Sequence, residues 1–179
     1  VHVHGTVETE DRAGVLRGYR EIVAPDCYLR DTAPTRIDVA LAELSHTATG
    51  PDALALAHAL SAAVSDAIAY RPGVTHAHTT AAEALALGEG VCQDHAHALV
   101  AVARLRGFPA RYVSGYLFAT EDGTLHEAAH AWAEVHIAGL GWVGFDPANR
   151  CCPDDRYIRL GSGLDAQDAA PIRGIARGD

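Results

Sequence analysis

The chain of 179 residues carries 23 acidic residues against 14 basic ones, a formal charge of −9, and is 49% hydrophobic. Its length and apolar share suffice for one sizeable core, while the acidic balance repels phosphate backbones and anionic membranes and argues against nucleic-acid or membrane partners. Every basic residue is arginine, which excludes a Schiff-base or phosphate-loop lysine; no apolar run reaches the length of a membrane span, and four scattered cysteines suit a reducing cytoplasm better than a secreted disulfide scaffold.

Val1 opens a chain without methionine, which points to a fragment or processed form of a longer protein. Residues 1–50 read as an N-terminal β-rich segment, the remnant of a longer N-terminal region. Val1 to Glu8 alternates, Gly14 to Tyr19 is a second strand-like piece, and Pro25 and Pro34 bracket an irregular stretch through Cys27. Ile37 to Leu44 is expected as a short helix.

Residues 51–179 read as the main domain. Asp52 caps a helix whose Leu56, Leu60, Val64 and Ile68 form an apolar stripe, stopped by Arg71-Pro72-Gly73. Thr80 and Glu83 form a capping box for a helix over Ala81 to Ala86. Gly88-Glu89-Gly90-Val91 is then a glycine turn that opens a helix at Cys92, with Ala96, Leu99, Val100 and Ala103 at helical spacing before Gly107-Phe108-Pro109 ends it.

Beyond Gly107 the period changes to two. Strands are expected over Ala110 to Phe118, Ala129 to Ile137, Trp142 to Phe145 and Tyr157 to Leu160, with a turn at Glu121-Asp122-Gly123, and the Gly-, Asp- and Ala-rich stretch Gly161 to Asp179 is expected to end in a mobile tail. Helices first and antiparallel strands afterwards make an α+β fold.

Cys92 falls in the first helical turn, where unpaired N–H groups and the helix dipole favour a thiolate; a small buried core cysteine is the plain alternative. On the second strand, alternation puts His130, Trp132, Glu134 and His136 on one face and Ala131, Ala133, Val135 and Ile137 on the other. Pro147 stops the third strand and leaves Asp146 at its end. Cysteine at a helix start, histidine on one strand and aspartate at the end of the next follow the logic of nucleophile, base and orienting acid. The Cys92 N–H is a candidate oxyanion donor, Gln93 and Tyr116 are candidates for the second donor, and Trp132 is the aromatic expected to touch substrate.

Four blocks carry a resemblance to a known family. They are Gly88-Glu89-Gly90-Val91-Cys92-Gln93-Asp94, the run from Gly107-Phe108-Pro109 to Gly115-Tyr116, His130-Ala131-Trp132-Ala133-Glu134-Val135, and Gly144-Phe145-Asp146-Pro147-Ala148-Asn149. In that order, over about Asp52 to Gly163, the sequence resembles the bacterial branch of the transglutaminase-like cysteine hydrolase superfamily. The resemblance implies a papain-like core with the cysteine helix packed on an antiparallel sheet. It also implies Cys92 as nucleophile, His130 as base, Asp146 as orienting acid, a peptide or amide substrate and no cofactor. His95 departs from the pattern, since relatives tend to carry an aromatic residue there.

Two other classes compete. A binding module could keep the fold without turnover. A zinc protein could draw on the 11 histidines, with Cys92 and His95 one turn apart, although a C-x2-H pair is half of such a site. The acidic pairs are scattered and do not predict a calcium cluster. Cys27 is expected to be partly buried near Tyr28, and Cys151 and Cys152 are expected to be reduced structural thiols.

Overall fold

A computed structural model describes residues 5–18, 20–121 and 124–172, with side chains described throughout except at 119–128. The helices come first. α1 (Val39–Thr47) starts at Asp38, whose carboxylate accepts the Leu41 N–H at 2.8 Å, and α2 (Ala53–Ala67) starts at Asp52, which accepts the Ala55 N–H at 2.8 Å. The α2 stripe then buries Ala57, Leu60 and Val64.

α3 (Ala81–Leu87) has the expected capping box. The Glu83 N–H reaches Thr80 Oγ1 at 3.2 Å and the Thr80 N–H reaches Glu83 Oε2 at 2.8 Å. Gly88 ends α3 in the left-handed region at φ +70°, which only glycine adopts cheaply. A two-residue parallel pairing of β1 (Ala69–Tyr70) with β2 (Glu89–Gly90) then delivers the chain to α4 (Cys92–Leu105).

α4 is the hub. Residues Ala96 and Ala98–Ala103 are wholly buried, because α1, α2 and α3 pack on one side and the sheet on the other. The alanines keep those approaches close. The sheet has the order β5-β4-β3-β6, all antiparallel, with β3 (Ala110–Glu121), β4 (Thr124–Ile137), β5 (Gly141–Phe145) and β6 (Tyr157–Gly163). Mixed helix and antiparallel sheet is the fold class the sequence predicts. Ala133, Val135, Ile137, Val143 and Phe145 face the helices in one continuous core.

The opposite face explains the polar half of β4. Glu134 is 4% exposed and takes Arg111 Nε at 2.6 Å and Arg159 Nε at 2.7 Å, while Arg111 also reaches Glu21 and lies 3.9 Å over the Trp142 ring. Charged residues are buried there as a hydrogen-bonded set, which makes their desolvation tolerable.

Two expectations need correction. The segment before α1 holds no strand among its described residues. Val15 makes a single bridge to Val143 and Pro25–Leu29 is a 3-10 turn, because charged residues and prolines interrupt any ladder; Val1 to His4 lie outside the described residues. Leu41 of α1 sits in the same apolar cluster as α2 and α4, so no gap in the core separates residues 39–47 from those after 50. The stretch after Gly161 is built into the molecule as far as Ala169, which is buried and whose carbonyl accepts Ser114 Oγ at 2.5 Å. Residues 173–179 and the Asp122-Gly123 turn lie outside the described residues. Among those described, no helix is long and apolar enough to cross a membrane.

Candidate active site

The start of α4 is shaped by Asp94. Its Oδ2 accepts the Val91 N–H at 2.8 Å and Thr75 Oγ1 at 2.6 Å, so the helix is capped from its third residue. A Cβ on Gly90 would stand 2.8 Å from the Asp94 carboxylate, and glycine there is what lets this cap close. Cys92 is thereby fixed at the first position of the helix, half-buried against Ala96, Tyr112, Ala131 and Ala169. His95 turns inward. Its two ring nitrogens lie 2.9 Å from the Val91 carbonyl and 2.8 Å from the Ile68 carbonyl, tying α4 to the end of α2 rather than joining Cys92 as a metal ligand.

His130 and Asp146 meet across the ends of β4 and β5, with His130 Nε2 2.6 Å from Asp146 Oδ2. Cys92 also acts on the same imidazole and favours its protonated form. Burial works against the charged ring, but the hydrogen bond to Asp146, the interaction with Cys92 and the charge of Asp146 outweigh it, and His130 is raised to about 9. Asp146, wholly buried, is pushed up by desolvation, yet the His130 hydrogen bond and charge and the Asn149 and Tyr157 donors hold it below the ordinary carboxylate value.

Asp146 has more partners than the sequence reading supplied. Asn149 donates its backbone N–H to Oδ1 at 3.2 Å and its side-chain amide to Oδ2 at 2.7 Å, and the Tyr157 hydroxyl donates to Oδ2 at 2.9 Å. Asn149 gets there because Asp146 and Cys151 pair their backbones around a tight loop in which Arg150 takes φ +55°. Tyr157 gets there because the chain crosses from β5 at one edge of the sheet to β6 at the other. Tyr70, half exposed on β1, also lies within the field of Cys92 and Asp146. Burial first, then the electrostatic influence of Cys92 and Asp146, push its hydroxyl up.

The other candidates sit elsewhere. The Gln93 side-chain amide donates one of its two N–H groups to the Ala77 carbonyl at 3.2 Å. Tyr116 lines a separate apolar groove of about 520 Å³ with Phe118, Leu160, Pro171 and Ile172. Trp132 is only 2% exposed. It packs beneath the imidazole, 6.3 Å from His130 and 5.5 Å from Tyr157 between ring centres, so it supports the site rather than offering a surface to substrate. Cys27 is exposed, not partly buried, and Cys151 and Cys152 are free thiols pushed up by desolvation.

The model of the transglutaminase-like superfamily matches residues 41–147, from α1 through Asp146. The chain belongs to that superfamily. Among relatives of this transglutaminase-like domain, an uncharacterized protein of Mycobacterium leprae is 41% identical over 113 residues, covering 61% of this chain and 40% of that protein. A protein-glutamine gamma-glutamyltransferase of Pseudomonas aeruginosa is 34% identical over 86 residues, covering 42% of this chain and 12% of the enzyme. The crystal structure of a candidate cysteine protease from Cytophaga hutchinsonii superposes with a TM-score of 0.70 at 25% identity, covering 90% of this chain and 55% of that one. The transglutaminase-like domain thus spans about two fifths of the mycobacterial relative's length.

Proposed function

We propose that this transglutaminase-like domain is a cysteine hydrolase or acyltransferase acting on amide, peptide or isopeptide bonds. The supporting observation is the His130 imidazole, which stands 2.6 Å from the buried Asp146 carboxylate and is raised to about 9 by that carboxylate and by Cys92. In this reading Cys92 attacks the carbonyl carbon as a thiolate, and the oxyanion forms against the Cys92 N–H at the helix start. His130 gives its proton to the leaving amine as the C–N bond breaks and a thioester remains. It then takes a proton from water or from a second amine, whose attack on the thioester breaks the C–S bond, releases the acyl group and returns Cys92 as the thiolate beside the reprotonated His130. Asp146 keeps the ring oriented and balances its charge throughout. The named activity of the Pseudomonas relative makes an amine acceptor a reasonable alternative to water.

Labelling with a thiol-reactive peptide-like probe, read by mass spectrometry, tests this. Cys92 should label far ahead of Cys27, Cys151 and Cys152, and Cys92→Ala should abolish both label and turnover while the thermal transition stays nearly unchanged. Asp146→Asn should cost on the order of ten-thousandfold in rate. Equal labelling of all four cysteines, or turnover by Cys92→Ala, would end the proposal.

A further inference from the structure

We propose that Tyr157 is a positioning residue for this site, its hydroxyl fixing the Asp146 oxygen that faces the imidazole. The inference rests on the function proposed above and adds a member to its machinery. A carboxylate can only accept, so the 2.9 Å contact is a bond donated by the phenol to Oδ2. The phenol oxygen then remains to accept from Cys151, whose sulfur lies 3.3 Å away. Thiol, phenol and carboxylate form a chain of donors running one way, and each bond in such a chain strengthens the next.

The geometry separates Tyr157 from Asn149. Asn149 belongs to the same loop as Asp146 and approaches from the more exposed side. Tyr157 enters from β6, at the far edge of the sheet, and its ring is held by Trp132 at 5.5 Å and against His130 at 5.9 Å. The carboxylate is therefore gripped from two directions. Burial, and then the charge of Asp146, push the Tyr157 hydroxyl up, so it remains a donor over the whole working range. The titratable groups facing this carboxylate are His130 from β4, Tyr70 from β1 and Cys151 from the crossing segment, with Cys92 of α4 beyond His130 and Asp154 and Arg156 beyond Cys151.

Losing a donor to the ionised form raises a carboxylate's affinity for protons. A protonated Asp146 no longer supports the imidazolium, so the loss should appear at the acid end of the pH profile. The test is the rate of Cys92 alkylation by iodoacetamide in the full chain from about pH 4 to about pH 9. Tyr157→Phe keeps both ring contacts and removes one oxygen. Its acid limb should move up by about one pH unit, so that the rate below the limb falls about tenfold. Cys151→Ala, which removes the donor behind the phenol, should move the limb less and in the same direction, and it carries the test if Tyr157→Phe fails to fold.

A Tyr157→Phe profile that superposes on the wild type, or moves down, overturns the inference while leaving the proposed function intact. A wild-type Cys92 that reacts no faster than exposed Cys27 takes both down.

Discussion

Two histidines at the ends of the pH range show how burial and partners set the charge of a residue. His97, buried on α4, accepts the Ala166 N–H at 3.1 Å and stacks at 4.9 Å on Tyr112; desolvation lowers it to about 4. Below about pH 6.5 the unfolded chain binds a proton there that the folded one refuses. Its contribution is complete above that pH and is lost as pH falls toward about 4. His130 behaves in the opposite sense. Its folded value of about 9 stabilises the protein fully below about pH 6.5, and that share is lost as pH rises through about 9. Calorimetry across pH should show both flanks. His97→Gln should flatten the acid side, and Asp146→Asn should shrink the alkaline decline by removing the carboxylate that holds the imidazolium.

At the scale of elements, the site depends on how β3 lets its neighbours approach. A Cβ on Gly115 would stand 2.1 Å from the Ile158 carbonyl and 2.7 Å from the Trp132 ring, at the point where the β3–β6 register slips. Gly115→Ala should therefore destabilise by about 3 kcal/mol or more, the upper end of overpacking costs, as measured by urea unfolding. It should also slow Cys92 alkylation, because the ring that supports His130 must move. Most elements were legible in the sequence. The α2, α3 and α4 starts follow from Asp52, the Thr80–Glu83 box and the glycine turn, and the face of β4 that carries Ala133 and Val135 follows from alternation. Local pattern says nothing about which strand lies beside which. The placement of β6 against β3, and with it the part played by Tyr157, therefore could not be read from residues 146–157. The same holds for Trp132. Its strand face was correct, but whether that face was open or covered depended on segments far along the chain.

For the whole molecule, one guanidinium gathers distant parts of the chain. Arg104, at the end of α4, donates to the Tyr28, Ala110 and Leu164 carbonyls and to Thr35 Oγ1, all at 2.8–3.1 Å. Burial lowers it to about 10, still well above the physiological range. Arg104→Ala would leave several buried acceptors unmatched, and an unfolding free energy lower by roughly 4 kcal/mol is expected from denaturant titration. By the same reasoning, the family-matched span of residues 41–147 should not fold by itself, since it lacks three of those acceptors and the whole of β6.

The excursion from β5 to β6 has its own significance. Asp146, Asn149, Cys151 and Tyr157 all belong to that single traverse, whereas the sulfur and the imidazole are anchored on α4 and β4. On the proposed function, lengthening, shortening or rewording this one ribbon would retune the orienting acid without disturbing the proposed nucleophile or base. In this architecture the tuning of the chemistry and the chemistry itself can vary independently.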